Sequence, residues 1–311
     1  MMRNNLILGT KGSDLLTVKG AQNDGVTVNG LGGPDMIVLD DVWYANVIGG
    51  EGSDVLQAVH GVGDTLKGGE GSDVYFGFED RGLVITDKQG PSGVDLNKVS
   101  DAVVRLGGDS DVVFDTAGQN NLFLMGGGND EITLVNSRGG NEIILGDDGW
   151  ATVKIDHTNL GLPGISDEKV GIGSQIFYGV TPDTVDIGRG QADIVVQAPY
   201  AWNNTTGRGE LKVNGFDASK DTLSFGGNTP KFIVADGDAL KAVFMGSDGI
   251  ALFTETVRGV GQFVTPGVTD GRNFSGVGGY GRYSEKGGSL PAYDPNQNNN
   301  GGGEGGSGTS W

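Results

Sequence analysis

GGEGSDVLQ at 49–57 and GGEGSDVYF at 68–76 are nearly one nine-residue word, written twice with a step of 19 residues. Each copy is a glycine-rich loop closed by one aspartate, Asp54 and Asp73, followed two places on by a large apolar residue, Leu56 and Tyr75. The same pairing extends in both directions. Asp35, Asp54, Asp73, Asp111 and Asp130 fall at intervals of 19, 19, 38 and 19, with Ser92 on the missing rung and Asp14 standing 21 residues before Asp35. The apolar partners are Leu16, Ile37, Leu56, Tyr75, Val113 and Ile132. A weaker second column lies half a period away, where Asp24, Asp64 and Asn121 precede Val26, Leu66 and Phe123 by the same offset. One period therefore holds two loop–strand units.

Short strands joined by tight glycine turns at a fixed period predict a flattened solenoid, in which successive coils stack as parallel strands about 4.8 Å apart. The residue two past each aspartate points inward and forms a thin aliphatic core, while the glycines supply positive φ and close backbone approach. The aspartates then stack in files along the edges. Carboxylates about 5 Å apart repel one another, so something must neutralise them. Hard oxygen ligands from carboxylates and from glycine-turn carbonyls suit Ca2+.

Composition agrees. Glycine is 60 of 311 residues with no three-residue period and only 9 prolines, which excludes collagen and favours many short strands. The net charge of -19 disfavours nucleic acid and anionic membranes and attracts cations. There is no cysteine, hence no disulfide framework or thiolate metal site. MMRNNLILGT carries no apolar core of signal-peptide length, and no apolar run approaches the roughly 18–20 residues that span a bilayer.

Both copies match G-G-x-G-x-D-x-U-x, where U is large and apolar. The chain thus resembles the RTX (repeat-in-toxin) proteins, whose haemolysin-type nonapeptides build a Ca2+-binding parallel β-roll. ILGTKGSDLLTV is similar to a first repeat of that family; GLGGPDMIV, LGGDSDVVF and MGGGNDEIT are degenerate copies, and SRGGNEIIL places Glu142 where the aspartate belongs. The resemblance implies ions held between loops of successive coils. Asp54 and Asp73 would give carboxylates, and carbonyls near Gly50, Gly52, Gly69 and Gly71 would complete the shell; Asp14 with Asp35, and Asp111 with Asp130, are further pairs. The family step is usually 18 residues, against 19 here, and the second column is poor in Gly–Gly loops, which implies little or no metal on that edge.

The resemblance continues past the roll. GRGQADIVV at 188–196 is similar to another degenerate repeat, and LKVNGFDASKDTLSF at 211–225 resembles the segment that follows RTX repeats, through Phe216, Asp217, Asp221, Leu223 and Phe225. The expected organisation is an all-β chain: a β-roll over 1–150, a degenerate repeat with a C-terminal β cap over 151–265, and a Gly/Asn-rich tail over 266–311 that serves as an assembly arm or a flexible extension.

No catalytic constellation stands out. GVGGYG at 276–281 follows no strand and opens no helix, and DASKDTLSFGGN lacks the glycine and glutamate of an EF-hand loop. His60 and His157 are the only histidines, and Asp40–Asp41 and Asp147–Asp148 read as solvated or Ca2+-binding acids. Trp43 and Tyr44 either pack on a solenoid face or meet a partner such as a glycan or cell surface. The expected function is a non-enzymatic, calcium-binding, extracellular structural or adhesive protein, exported by type I secretion. The alternative is a self-associating subunit of a surface layer or virion decoration, contacting neighbouring structural subunits.

Overall fold

The computed structural model describes residues 5–156, 176–177, 182–198, 207–227, 230, 232–245, 251–261 and 267–268. Apart from Gly267–Val268, the Gly-rich tail lies outside them.

The chain is a parallel β-solenoid with two sheets. In the longer sheet, Leu6–Leu8, Thr27–Gly32, Asn46–Glu51, Thr65–Glu70 and their successors stack in parallel. The shorter sheet stacks Leu15–Lys19, Met36–Asp40, Val55–Val59, Val74–Phe78 and so on to Thr222–Gly227, ten strands among the described residues. The glycine loops turn the chain from the longer sheet into the shorter one. A second edge turns it back.

Alternation fixes which side chains go in, because successive residues of a strand face opposite sides. Val28, Val47, Leu66, Ile85, Val104, Phe123, Ile143, Val185 and Val213 stand in one register and are all buried. Facing them from the shorter sheet is the file predicted from the aspartate pattern: Ile37, Leu56, Tyr75, Val113 and Ile132 are fully buried. Truncating such a residue to alanine costs about 2–5 kcal/mol. The next inward file, Leu39, Ala58, Gly77, Leu96, Asp115 and Leu134, places a carboxylate in the core. Asp115 is fully buried, and the side-chain amide of Asn121 donates to its Oδ2 at 3.1 Å.

The 21-residue first interval has a local cause. Lys19 pairs with Asp40, 21 residues on, whereas Thr27 pairs with Asn46, 19 on. The two extra residues therefore lie between them, at the 3-10 turn Ala21–Asn23. This corrects the second column. Val26, Ala45 and Asp64 share one position, with Asn46 N–H bonded to the Val26 carbonyl and Thr65 N–H to that of Ala45. Asp24 sits two residues before it.

Toward the C-terminus the coils give way to antiparallel pairing. Gly207–Asn214 pairs in parallel with Ala251–Arg258, which pairs antiparallel with Ala239–Met245, followed by Phe232–Asp236. Such strands cover the edge that an open solenoid would present. No helix among the described residues is long and apolar enough to cross a membrane.

Candidate functional site

The aspartates of the glycine edge form a ladder. The backbone N–H of Asp14 donates to Oδ1 of Asp35, that of Asp35 to Asp54, and that of Asp54 to Asp73, each at 2.8 Å. The file continues from Ser92 N–H to Asp111 at 2.8 Å and from Asp111 N–H to Asp130 at 3.0 Å. The pairs Asp14–Asp35, Asp54–Asp73 and Asp111–Asp130 are thus neighbours on adjacent coils. Each carboxylate satisfies a buried amide that the turn leaves out of the sheet ladder.

That leaves the second oxygen. Oδ2 of Asp35, Asp54, Asp73 and Asp111 is buried without a hydrogen-bond partner. Each glycine five residues before an aspartate exposes its bare Cα to this oxygen. A Cβ on Gly49 would collide with Asp54 Oδ2 and lie 2.7 Å from the Gly68 carbonyl oxygen; a Cβ on Gly30 would collide with Asp35 Oδ2 and lie 2.5 Å from that of Gly49. A carboxylate oxygen and a carbonyl oxygen of the next coil therefore share the space over Gly30 and Gly49; over Gly68 the Tyr75 hydroxyl stands beside Asp73 Oδ2 instead, and Leu106 takes the glycine position before Asp111. Gly30, Gly49 and Gly68, the first letters of their repeats, escape the sequence pattern because a carbonyl has no letter.

The glycines singled out from the sequence lie further along the same loops. Gly50, Gly52, Gly69 and Gly71 have φ of 126°, 133°, 125° and 134°, which other residues rarely adopt. A side chain on Gly69 would strike the Gly50 carbonyl, and one on Gly71 the Gly52 carbonyl. These carbonyls face the next coil's glycines along the stack. Glu51 and Glu70 pair in register and are exposed.

Electrostatics follow burial. Desolvation is the largest influence on every interior member and raises its pKa; the amide hydrogen bond opposes it, and neighbouring carboxylates add to it. Asp73 and Asp130 are pushed up to about 7 and Asp111 to about 6, while Asp35 and Asp54 move in the same direction.

The ends of the ladder are built differently. Thr10 donates its backbone N–H and its hydroxyl to Asp14 Oδ2 at 2.6 and 2.9 Å. At the far end the file passes through Ala151 and Ala192 and resumes at Asp221, whose Oδ1 accepts from Ala192 N–H at 3.0 Å and whose Oδ2 accepts from Asp217 N–H at 2.7 Å. Both terminal carboxylates use Oδ2 to close their own loop. The repeat at 188–196 is a coil in register, but Ala192 occupies the aspartate position and Asp193 stands one place beyond.

Ser92 is compensated from within its own coil. Asp87 occupies the file of Gly30, Gly49 and Gly68, and its Oδ2 accepts from the Ser92 hydroxyl at 2.8 Å and the Tyr75 hydroxyl at 2.9 Å. The carboxylate has moved five residues back along the chain and kept its place in the stack.

The second edge is an asparagine ladder over part of its length. Asn121 Oδ1 accepts from Ala102 N–H at 2.9 Å while its Nδ2 donates to the Val99 carbonyl at 3.1 Å. Asn141 Oδ1 accepts from Asn121 N–H at 2.8 Å, and its Nδ2 donates to Ser137 Oγ at 2.8 Å. Asn141, not Glu142, therefore holds the column position in SRGGNEIIL; Glu142 is exposed because it is one residue out of phase. Next to this edge, Asp41, His60, Glu79 and Lys98 take positive φ in successive coils. His60 Nδ1 lies 3.8 Å from both Asp40 and Asp41, and Nε2 lies 3.6 Å from Glu79. Lys19 pairs with Asp40 and Lys98 with Glu79, so this exposed group reads as a surface ion-pair row. Trp43 and Tyr44 are exposed on the same edge.

No protein-family model matches this chain, and no curated protein matches it.

Proposed function

We propose that the chain is a calcium-stabilised scaffold of the RTX type, a non-enzymatic structural or adhesive protein that acts outside the cell. The observation that carries this reading is the buried, unpartnered Oδ2 of Asp35 and of Asp54, each sharing its space with a glycine carbonyl of the next coil. A buried carboxylate oxygen without a donor is costly, and repetition of the arrangement over successive coils argues for a common neutralising ligand. Hard oxygens from carboxylates and carbonyls suit Ca2+. Asp35, Asp54, Asp73, Asp111 and Asp130 would hold the ions, Asp35 and Asp54 joined by the carbonyls of Gly49 and Gly68; a bound Ca2+ would supply positive charge between coils and cross-link them. The positive-φ glycines keep the coils close enough for this. Calorimetric titration of the chelated protein with Ca2+ tests the reading: several ions and a large rise in Tm support it, whereas a melting curve indifferent to millimolar Ca2+ overturns it.

A second reading, a subunit of an ordered assembly such as a surface layer or virion decoration, is favoured by the outer face of the shorter sheet. Leu15, Met36, Val74 and Val112 stand in one register row, with Val55 and Gly93 between them, and are 71%, 42%, 37% and 43% exposed. An apolar row repeated over successive coils suits repeated contact with neighbouring subunits.

A further inference from the structure

The second edge contains one place that its asparagine ladder does not explain. Val42, Gly61, Asp80, Val99 and Gly118 occupy equivalent inward positions in successive turns, as the bridges Trp43–Val62, Val62–Arg81, Arg81–Ser100 and Ser100–Gln119 show. Val42 and Val99 are fully buried, which marks the position as apolar. Asp80 breaks that rule at 2% exposure, and neither of its carboxylate oxygens has a well-formed hydrogen bond, although the amides of Gly61 and Arg81 lie nearby. Asp64, on the preceding coil, is fully buried; its Oδ1 accepts from Ala45 N–H at 2.7 Å and its Oδ2 has no partner.

The unpartnered oxygens converge. A Cβ on Gly61 would collide with Asp64 Oδ2, lie 2.6 Å from Asp80 Oδ2 and lie 2.9 Å from the Val42 carbonyl oxygen. Two carboxylates and a carbonyl, from three consecutive coils, thus surround a residue whose missing side chain leaves the space open. Two negative charges this close in a dry interior repel strongly. Burial and their mutual repulsion raise Asp64, with Asp24 adding to it, and burial raises Asp80, opposed by its neighbouring amides and His60. Asn121 and Asn141 show that asparagine satisfies this edge without any charge, so two aspartates here point to a ligand that asparagine would not hold.

We propose that Asp64, Asp80 and the Val42 carbonyl form a divalent-cation site on the second edge, separate from the glycine-edge ladder. The oxygen-only donor set selects a hard cation. The ion neutralises both carboxylates and ties three coils together.

The test uses the full chain, Ca2+ as the probe and three variants. Asp80→Asn keeps the shape, Asp80→Val installs the residue that Val42 and Val99 place in the same file, and Trp43→Phe leaves every ligand in place. Calorimetry should count one Ca2+ fewer in both Asp80 variants than in wild type, and Asp80→Val should melt higher than wild type in chelator. Tb3+ emission excited through tryptophan should fall in Trp43→Phe, because Trp43 follows the Val42 carbonyl in sequence. An unchanged ion count in the Asp80 variants, or full emission from Trp43→Phe, overturns the proposal. Loss of ions in Asp54→Asn reports on the glycine edge alone, so the two sites fail or stand separately.

Discussion

The backbone N–H of Asp54 donates to Oδ1 of Asp73 at 2.8 Å, and Asp73 Oδ2 is left buried with no donor. One side chain thus serves as structural acceptor and as candidate ligand. In Asp54→Ala, the amide of Asp35 loses its acceptor, and the expected cost is about 1–3 kcal/mol with or without Ca2+. Chemical denaturation in both conditions checks this.

Asp54→Asn should behave in the opposite way. The asparagine Oδ1 still accepts from Asp35, and its Nδ2 gains the Gly68 carbonyl as acceptor, the arrangement that Asn121 already shows with Val99. In chelator the variant should be more stable than wild type by about 1 kcal/mol, the net worth of a hydrogen bond, and its gain from Ca2+ should shrink. A variant less stable than wild type in chelator would show that the Asp54 carboxylate is already neutralised by other means.

The same carboxylates set a pH dependence for the calcium-free protein. Their folded pKa values are raised above the ordinary 3.8, to about 7 for Asp73 and Asp130 and about 6 for Asp111. The folded state therefore binds more protons than the unfolded one. The resulting stability is fully present below about pH 4 and is lost as pH climbs through 6 to 7. In chelator, Tm should fall between pH 5 and pH 8. With millimolar Ca2+ the fall should flatten, because metal replaces the proton.

The architecture was legible because the period, the closing aspartate and the inward residue two places on are all letters. Residues 54, 56, 73 and 75 alone place the loop, its amide acceptor and the core. The rest depended on phase. Two residues inserted near Ala21–Asn23 put Asp24 out of its column, and a one-residue slip makes Glu142 rather than Asn141 look like the aspartate substitute. Asp87 was hidden for a different reason. It replaces a glycine, so it reads as decay of the repeat, and only stacking shows that its carboxylate stands in for the one missing at Ser92. The Asp64–Asp80 convergence was equally silent, since 16 residues is no multiple of the period.

The Asp87–Ser92 exchange predicts strong non-additivity. Asp87→Gly leaves the buried Tyr75 and Ser92 hydroxyls without their acceptor, at about 1–3 kcal/mol. Ser92→Asp alone sets a second carboxylate against Asp87 and should destabilise the calcium-free protein. The double variant rewrites the coil with glycine and aspartate in the positions of 68 and 73, and should recover most of the loss. A double-mutant cycle measures this coupling directly; simple addition of the two single effects would mean that the residues do not substitute for one another.

The exposed row Leu15, Met36, Val74 and Val112 separates folding from assembly. These side chains point away from the core, so Met36→Lys combined with Val112→Lys should change stability by no more than about 0.5 kcal/mol per site. If the row seats a neighbouring subunit, two added charges on its apolar surface oppose burial there. Sedimentation of wild type should then show concentration-dependent association that the double variant loses, at equal Tm and equal Ca2+ count. Equal sedimentation of the two proteins across the concentration range would instead mark the row as an ordinary solvated face of the solenoid and leave the scaffold reading without its assembly alternative.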